Sequence, residues 1–199
     1  LRADPDTVCT MSTLSGYTCE CCSKGTALWL ACHRGLPHAA CELLKGGASI
    51  DFAGNAYGKM ALFEACKQKS TACAILLIDA RANVHIGECV ITESKHSKHL
   101  CWTPLIECAY NGSLFVAQAL LEASADVNAK AADGGSPMLH ACNSGHLLLT
   151  KLLSCYDAAR SSTIVKVIGR RSASKPTSTE TAEDVAIGKS HKALALWLQ

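Results

Sequence analysis

Charged and aromatic side chains are both scarce in this chain of 199 residues: Asp, Glu, Lys and Arg make up 18% and Phe, Trp and Tyr only 5%. The formal charge at pH 7 is +2, too mild for the overall field to mark a nucleic-acid-binding protein. No apolar run approaches the roughly 18 residues of a membrane helix, so no membrane span is expected. The first residues also lack the basic-then-apolar pattern of a secretory signal. No Gly-rich phosphate loop, His-Glu-x-x-His or nucleophile elbow is present. Neither a catalytic residue nor a cofactor is therefore expected.

What the chain does contain is a phrase that recurs. Thr26-Ala-Leu-Trp-Leu-Ala-Cys32, Met60-Ala-Leu-Phe-Glu-Ala-Cys66, Thr103-Pro-Leu-Ile-Glu-Cys-Ala109, Ser136-Pro-Met-Leu-His-Ala-Cys142 and Thr181-Ala-Glu-Asp-Val-Ala-Ile187 open five segments. Their starts are 34, 43, 33 and 45 residues apart, and a period in this range signals a repeat array. The extra residues fall in every second connection. Within each unit, Leu28, Ala31 and Cys32 illustrate the i, i+3, i+4 stripe of a helix, and the pairs Leu43-Leu44, Leu76-Leu77, Leu120-Leu121 and Leu152-Leu153 mark a second helix. Thr103 and Ser136 are natural N-caps for helices beginning at Pro104 and Pro137. Gly35, Gly112 and Gly145 fall where the chain turns between helices and a left-handed residue is easiest without a Cβ. Lys69 replaces that glycine in the second unit, so strain or a reshaped turn is expected there.

The phrase resembles the Thr-Pro-Leu-His-x-Ala-Ala opening of an ankyrin repeat, and Gly47-Ala-Ser-Ile-Asp51, Arg81-Ala-Asn-Val-His85 and Ser124-Ala-Asp-Val-Asn128 resemble its Gly-Ala-Asp-Val-Asn close. The resemblance implies an all-α solenoid of stacked helix-turn-helix units, because one such pair cannot bury its apolar face alone. It divides the chain into repeats at 25–56, 57–86, 102–131 and 132–158 and an ankyrin-like repeat at 180–199. Inserted fingers occupy 87–101 and 159–179, and 1–24 is the end of a preceding repeat with a long connection. Arg2-Ala-Asp-Pro-Asp6 carries that last resemblance, so the chain is expected to open inside a repeat, as part of a longer array. The strand-prone Cys89-Val-Ile-Thr92 and Ile164-Val-Lys-Val-Ile168 suit longer hairpins, whereas the Ser and Thr abundance of 161–181 suits unstructured insertions. Both readings stand.

Thirteen cysteines would suggest disulfides in a small secreted domain. Here Cys32, Cys66, Cys108 and Cys142 occupy the small-residue positions of the phrase, and Cys41, Cys73 and Cys155 lie in second helices, where a thiol packs as a small hydrophobe. A reducing compartment, cytoplasmic or nuclear, is expected. Cys19-Glu-Cys-Cys22 with His33 has the chemistry of zinc ligands, but lacks the paired spacing of a structural site. Cys89 and Cys101 are two repeat layers away, roughly 20 Å, so no metal is expected. Cys32-His33 and His140-x-Cys142 do not face each other on a helix, which argues against a nucleophile pair. The sequon Asn111-Gly-Ser113 is read as turn chemistry.

The resemblance also implies a binding face, carried by the two residues before each inter-helix turn: His33 and Arg34, Lys67 and Gln68, Tyr110 and Asn111, Asn143 and Ser144. Trp102, just before the Thr103 cap, and Tyr110 are expected to face the same concave side as aromatic anchors. The expected function is a protein-interaction module with a protein partner. Two rivals remain: a structural subunit of a larger complex anchored by its fingers, and nucleic-acid or anionic-surface contact through Lys166, Arg170, Arg171 and Lys175 of the basic finger.

Overall fold

The computed structural model describes residues 4–10, 24–52, 60–86, 102–131, 134–159, 161–163 and 179–198. Five helix pairs follow one another: α1 (Ala27–His33) and α2 (Pro37–Lys45), α3 (Ala61–Lys67) and α4 (Thr71–Asp79), α5 (Pro104–Asn111) and α6 (Leu114–Glu122), α7 (Pro137–Ser144) and α8 (Leu147–Cys155), α9 (Ala182–Gly188) and α10 (Lys192–Leu198). Each helix is only two turns long, too short to persist alone in water, so packing must hold it. None of the described helices is long and apolar enough to cross a membrane.

The starts and stops of the first helices come from the phrase itself. Thr26, Thr103 and Ser136 accept hydrogen bonds from the backbone N–H groups of Trp29, Ile106 and Leu139, satisfying donors that the first turn leaves open. Thr181 and Asp184 complete a reciprocal capping box. Met60 supplies no side-chain cap. The chain then leaves each first helix through one left-handed residue: Gly35, Lys69, Gly112, Gly145 or Ser190. At Lys69, φ is 57°, and the N–H of Ser70 donates to the Ala65 carbonyl just as that of Leu36 donates to Ala31. The turn is conserved in shape and the strain falls on the lysine. Second helices end in the same way at Gly47, Arg81, Ser124 and Asp157.

The first helices pack side by side in the order α1, α3, α5, α7, α9, and α2, α4, α6 and α8 form a parallel outer row. Alanine and cysteine are prominent on the buried side of the first helices: Ala31, Cys32, Ala65, Cys66, Cys108, Ala109, Ala141 and Cys142 are all buried. Between them, Leu28, Leu62, Leu77, Leu105, Leu120, Leu149, Leu153 and Leu194 build one core running through all five pairs. Each fully buried leucine contributes about 1.5–3 kcal/mol relative to exposure.

Polar bonds also staple the units along the opposite edge, after the second helices. Asp6 accepts from the N–H of Ser49, Asp51 from that of Asn83 and Asn128 from that of Ala159, at 2.9, 2.9 and 2.7 Å. These acceptors occupy the closing position of three of the units. His85 holds that position in the second unit, beside a small cavity of about 110 Å³ bounded also by Val84, Thr103 and Asp126.

Two of the long connections begin and end as antiparallel ladders. Strand β1 (Val8–Thr10) pairs with β2 (Lys24–Thr26), with Val8 opposite Thr26; β3 (Ser161–Thr163) pairs with β4 (Thr179–Thr181), with Ser161 opposite Thr181. In both, the residue that ends the returning strand is the threonine that caps the next helix. The chain at 87–101 lies outside the described residues, as does the rest of 159–179 with Lys166, Arg170, Arg171 and Lys175.

Candidate functional site

The C-terminal ends of the first helices bring the predicted contact residues into one row, but they are not equivalent. In the first two units they bond to one another. His33 Nδ1 lies 2.7 Å from Oε1 of Glu64, and Gln68 Nε2 donates to the same oxygen at 2.7 Å. The acceptor-only carboxylate makes Nδ1 the protonated ring nitrogen. Trp29 stacks flat on His33, with ring centroids 5.1 Å apart. Arg34 stands exposed at the end of α1.

In the middle units the row opens into a groove of about 460 Å³. Lys67, Tyr110, Asn111, Asn143 and Ser144, all predicted from the sequence, line it together with Lys69, Glu107 and His146. Three consecutive units therefore share one concavity. Asn111 belongs to its floor: Nδ2 donates to the Cys66 carbonyl at 3.0 Å and to Glu107 Oε1 at 3.1 Å. Its Oδ1 is buried without a protein partner among the described residues. That half-buried, doubly bonded amide accounts for the Asn-Gly-Ser sequence as turn chemistry. Tyr110 is 47% exposed and forms the rim.

His146 and His191 hold the turns in place. His146 Nε2 donates to the Tyr110 carbonyl at 3.1 Å, and His191 Nε2 to the Asn143 carbonyl at 3.2 Å. A Cβ on Gly112 would sit 2.6 Å from the His146 ring, and one on Gly145 2.7 Å from that of His191. Glycine is thus needed at these two turns for both its positive φ and its missing side chain.

Trp102 corrects the sequence expectation. It is 5% exposed and packs with Phe63, Ile106 and Ala131 in a satellite cluster. Its ring lies 5.3 Å from that of Tyr110 and 4.7 Å from that of His140. Its apolar area is already taken up inside the protein, so it supports Tyr110 rather than meeting a partner itself. Glu64, Glu107, Lys69 and His146 were missed. The two glutamates share the fifth position of the phrase, and a carboxylate inside an otherwise apolar helix was the available signal.

Charge is unevenly divided between the two edges of the stack. Arg34, Lys67, Lys69, Lys189 and Lys192 lie at or beside the helix-to-helix turns, where among the described residues the carboxylates are the buried Glu64 and Glu107. Glu42, Asp51, Asp79, Glu122, Asp126 and Asp157 are at the far edge, in or after the last turns of second helices. The described cations of that edge include Lys45, which pairs with Glu42 at 2.8 Å.

The buried thiols Cys32, Cys66, Cys73, Cys108 and Cys142 are packing groups. Burial, then the neighbouring Cys73, holds the Cys32 thiol well above its ordinary range; the bond to Cys66, then burial, does the same for Cys108. Burial pushes Cys142 up to about 11, against a lowering bond from Thr150. Protonated thiols of this kind are poor nucleophiles. Cys155 differs from the expectation of packing, since it is exposed at the end of α8. Cys19, Cys21, Cys22, Cys89 and Cys101 lie outside the described residues. Among those described, no group of three or more His, Cys, Asp or Glu side chains is arranged to hold a metal.

Two family models match this chain. Ankyrin repeats (3 copies) covers residues 3–88 and Ankyrin repeat covers 101–132, together more than half of the sequence. No curated protein gives a significant match. The capped two-turn helices, left-handed turns and parallel rows agree with both models, and the chain belongs to the ankyrin repeat family.

Proposed function

We propose that the chain is a non-catalytic adaptor or scaffold that captures a protein partner along the ends of its first helices. Ankyrin repeats are in general protein–protein interaction modules. The observation that carries the more specific reading is the groove shared by Lys67, Tyr110, Asn111, Asn143 and Ser144, diverse residues on a scaffold whose neighbouring positions are Ala, Cys and Leu. Its polar rim and exposed aromatic ring match the composition of recognition surfaces. His33, Arg34 and Gln68 extend the row. A photo-crosslinking residue placed at Asn143 should capture the partner, and one placed at Leu148 on the outer row should not; capture from Leu148 alone would overturn the proposal.

A second reading, a subunit anchored in a larger assembly by its fingers, is favoured by the β1–β2 and β3–β4 ladders, which give two long connections a paired base. Replacing residues 164–178 by a short Gly-Ser linker would then release the chain from the assembly while leaving groove binding intact. Nucleic-acid contact through Lys166, Arg170, Arg171 and Lys175 has only the run of cations in its favour. A mobility shift that steepens with falling salt and disappears on replacing Arg170 and Arg171 would support it.

A further inference from the structure

We propose that the groove takes an acidic peptide segment, whose side-chain carboxylates are held by Lys67 and Lys69. The proposal rests on the reading of this row as the partner-binding face and adds the chemistry of the partner. Neither lysine has an ion-pair partner among the described residues, and both are exposed at the groove. The carboxylates available at this edge, Glu64 and Glu107, are 2% and 7% exposed and bonded to Gln68 and Asn111. Glu64 is held by His33 and Gln68 and Glu107 lies on the groove floor bonded to Asn111, and neither forms an ion pair with Lys67 or Lys69. Arg34 and Lys189 extend the same sign of charge along the edge to either side, while the acidic residues gather at the opposite edge. A partner segment carrying carboxylates would be drawn to this edge and repelled from the other.

Lys69 adds a separate argument. It holds the left-handed turn position that glycine holds in three of the five units, at a conformational cost of roughly 1–2 kcal/mol for an L-residue. Arg81, Ser124, Asp157 and Ser190 bear the same cost; what is particular to Lys69 is that it places a cation in the groove at a turn position where three other units have an uncharged glycine.

The test uses the whole 199-residue chain and three labelled probes in fluorescence anisotropy: a Glu-rich peptide, a Lys-rich peptide and a single-stranded oligonucleotide. The Glu-rich peptide is expected to bind best, to weaken with salt, and to lose about tenfold or more in affinity in the Lys67→Glu/Lys69→Glu double variant. Glu107→Gln should tighten it, because a like charge leaves the floor. Lys45→Glu/Arg81→Glu, at the far edge, should leave it unchanged. Stronger binding of the Lys-rich peptide or of the oligonucleotide, failure of the Glu-rich peptide to bind, or equal losses from both double variants would overturn the proposal. Crosslinking from Asn143 separates it from the reading on which it rests. A partner captured there through a segment without carboxylates removes the acidic peptide and leaves the binding face, whereas capture only from Leu148 removes both.

Discussion

His33 Nδ1 and Glu64 Oε1 approach to 2.7 Å, so a side chain at the end of α1 is fastened to a nearly inaccessible carboxylate in α3. A buried carboxylate is costly unless its oxygens are bonded, and here His33 and Gln68 both serve Oε1. Removing one donor leaves that oxygen short of a partner. His33→Ala should lower unfolding stability by about 2 kcal/mol, whereas Arg34→Ala, one residue later and exposed, should change it by less than about 0.5 kcal/mol. Urea unfolding followed by circular dichroism measures both. Equal effects would mean that the pair is only a surface contact.

Two adjacent rings in the middle of the stack separate support from recognition. Trp102→Ala empties a site walled by Phe63, Ile106 and Ala131 and should cost about 3–5 kcal/mol. Tyr110 is 47% exposed, and its replacement by Ala should leave stability within about 1 kcal/mol while weakening capture of the partner. A Trp102 variant with native stability would contradict the burial described here.

Much of this arrangement could be read before the structure. Thr103 and Ser136 announce their helices because one side-chain oxygen three residues before an open N–H is a local device, and Gly35, Gly112 and Gly145 announce turns for an equally local reason. The burial of Trp102 was not legible in this way. Its neighbours Phe63 and Ala131 come from distant points in the chain, and a tryptophan before a cap looks the same whether it faces solvent or core. Glu107 and His146 were missed for a similar reason: each acts through an atom of another segment, Asn111 Nδ2 and the Tyr110 carbonyl. The hydrogen bonds that carry successive units, such as Asn128 to Ala159, likewise join residues whose pairing depends on how the units stack.

The inter-helix turns offer a stability test of opposite signs. Lys69→Gly removes the left-handed strain of a Cβ-bearing residue, roughly 1–2 kcal/mol, but adds roughly 0.5–1 kcal/mol of unfolded-state freedom. A net gain of about 0.5–1 kcal/mol is expected. Gly112→Ala meets the same strain at φ 79° and also drives a methyl to 2.6 Å from the His146 ring, so it should lose more than about 2 kcal/mol. If Lys69→Gly destabilises instead, the lysine makes a stabilising contact that outweighs its backbone cost.

The acceptors along the opposite edge should behave as separable staples. Asn128→Ala removes the partner of the Ala159 N–H, at 2.7 Å, and should cost about 1 kcal/mol. The loss should appear locally, as faster hydrogen exchange at Ala159, with the Asn83 amide held by Asp51 unaffected. Faster exchange at both sites would show that the stack opens as one unit and that the individual bonds do not set local stability.

The buried thiols make stability depend on alkaline pH. Cys142 has an ordinary value of 9.0 and is pushed up to about 11 by burial, so the folded state holds its proton where an unfolded chain has begun to release it. The sign follows from proton linkage. Its contribution is fully present below pH 9.0 and is lost as pH rises from there to about 11, and Cys32 and Cys108, also raised, act in the same direction. Melting temperature should therefore fall across this window, and Cys142→Ala should flatten part of the fall. Of the seven thiols whose burial is described, alkylation at neutral pH should mark the exposed Cys155 first and reach the buried Cys32, Cys66, Cys73, Cys108 and Cys142 only after urea is added. Rapid labelling of Cys142 in the native chain would show that the helix rows open far more readily than their packing implies.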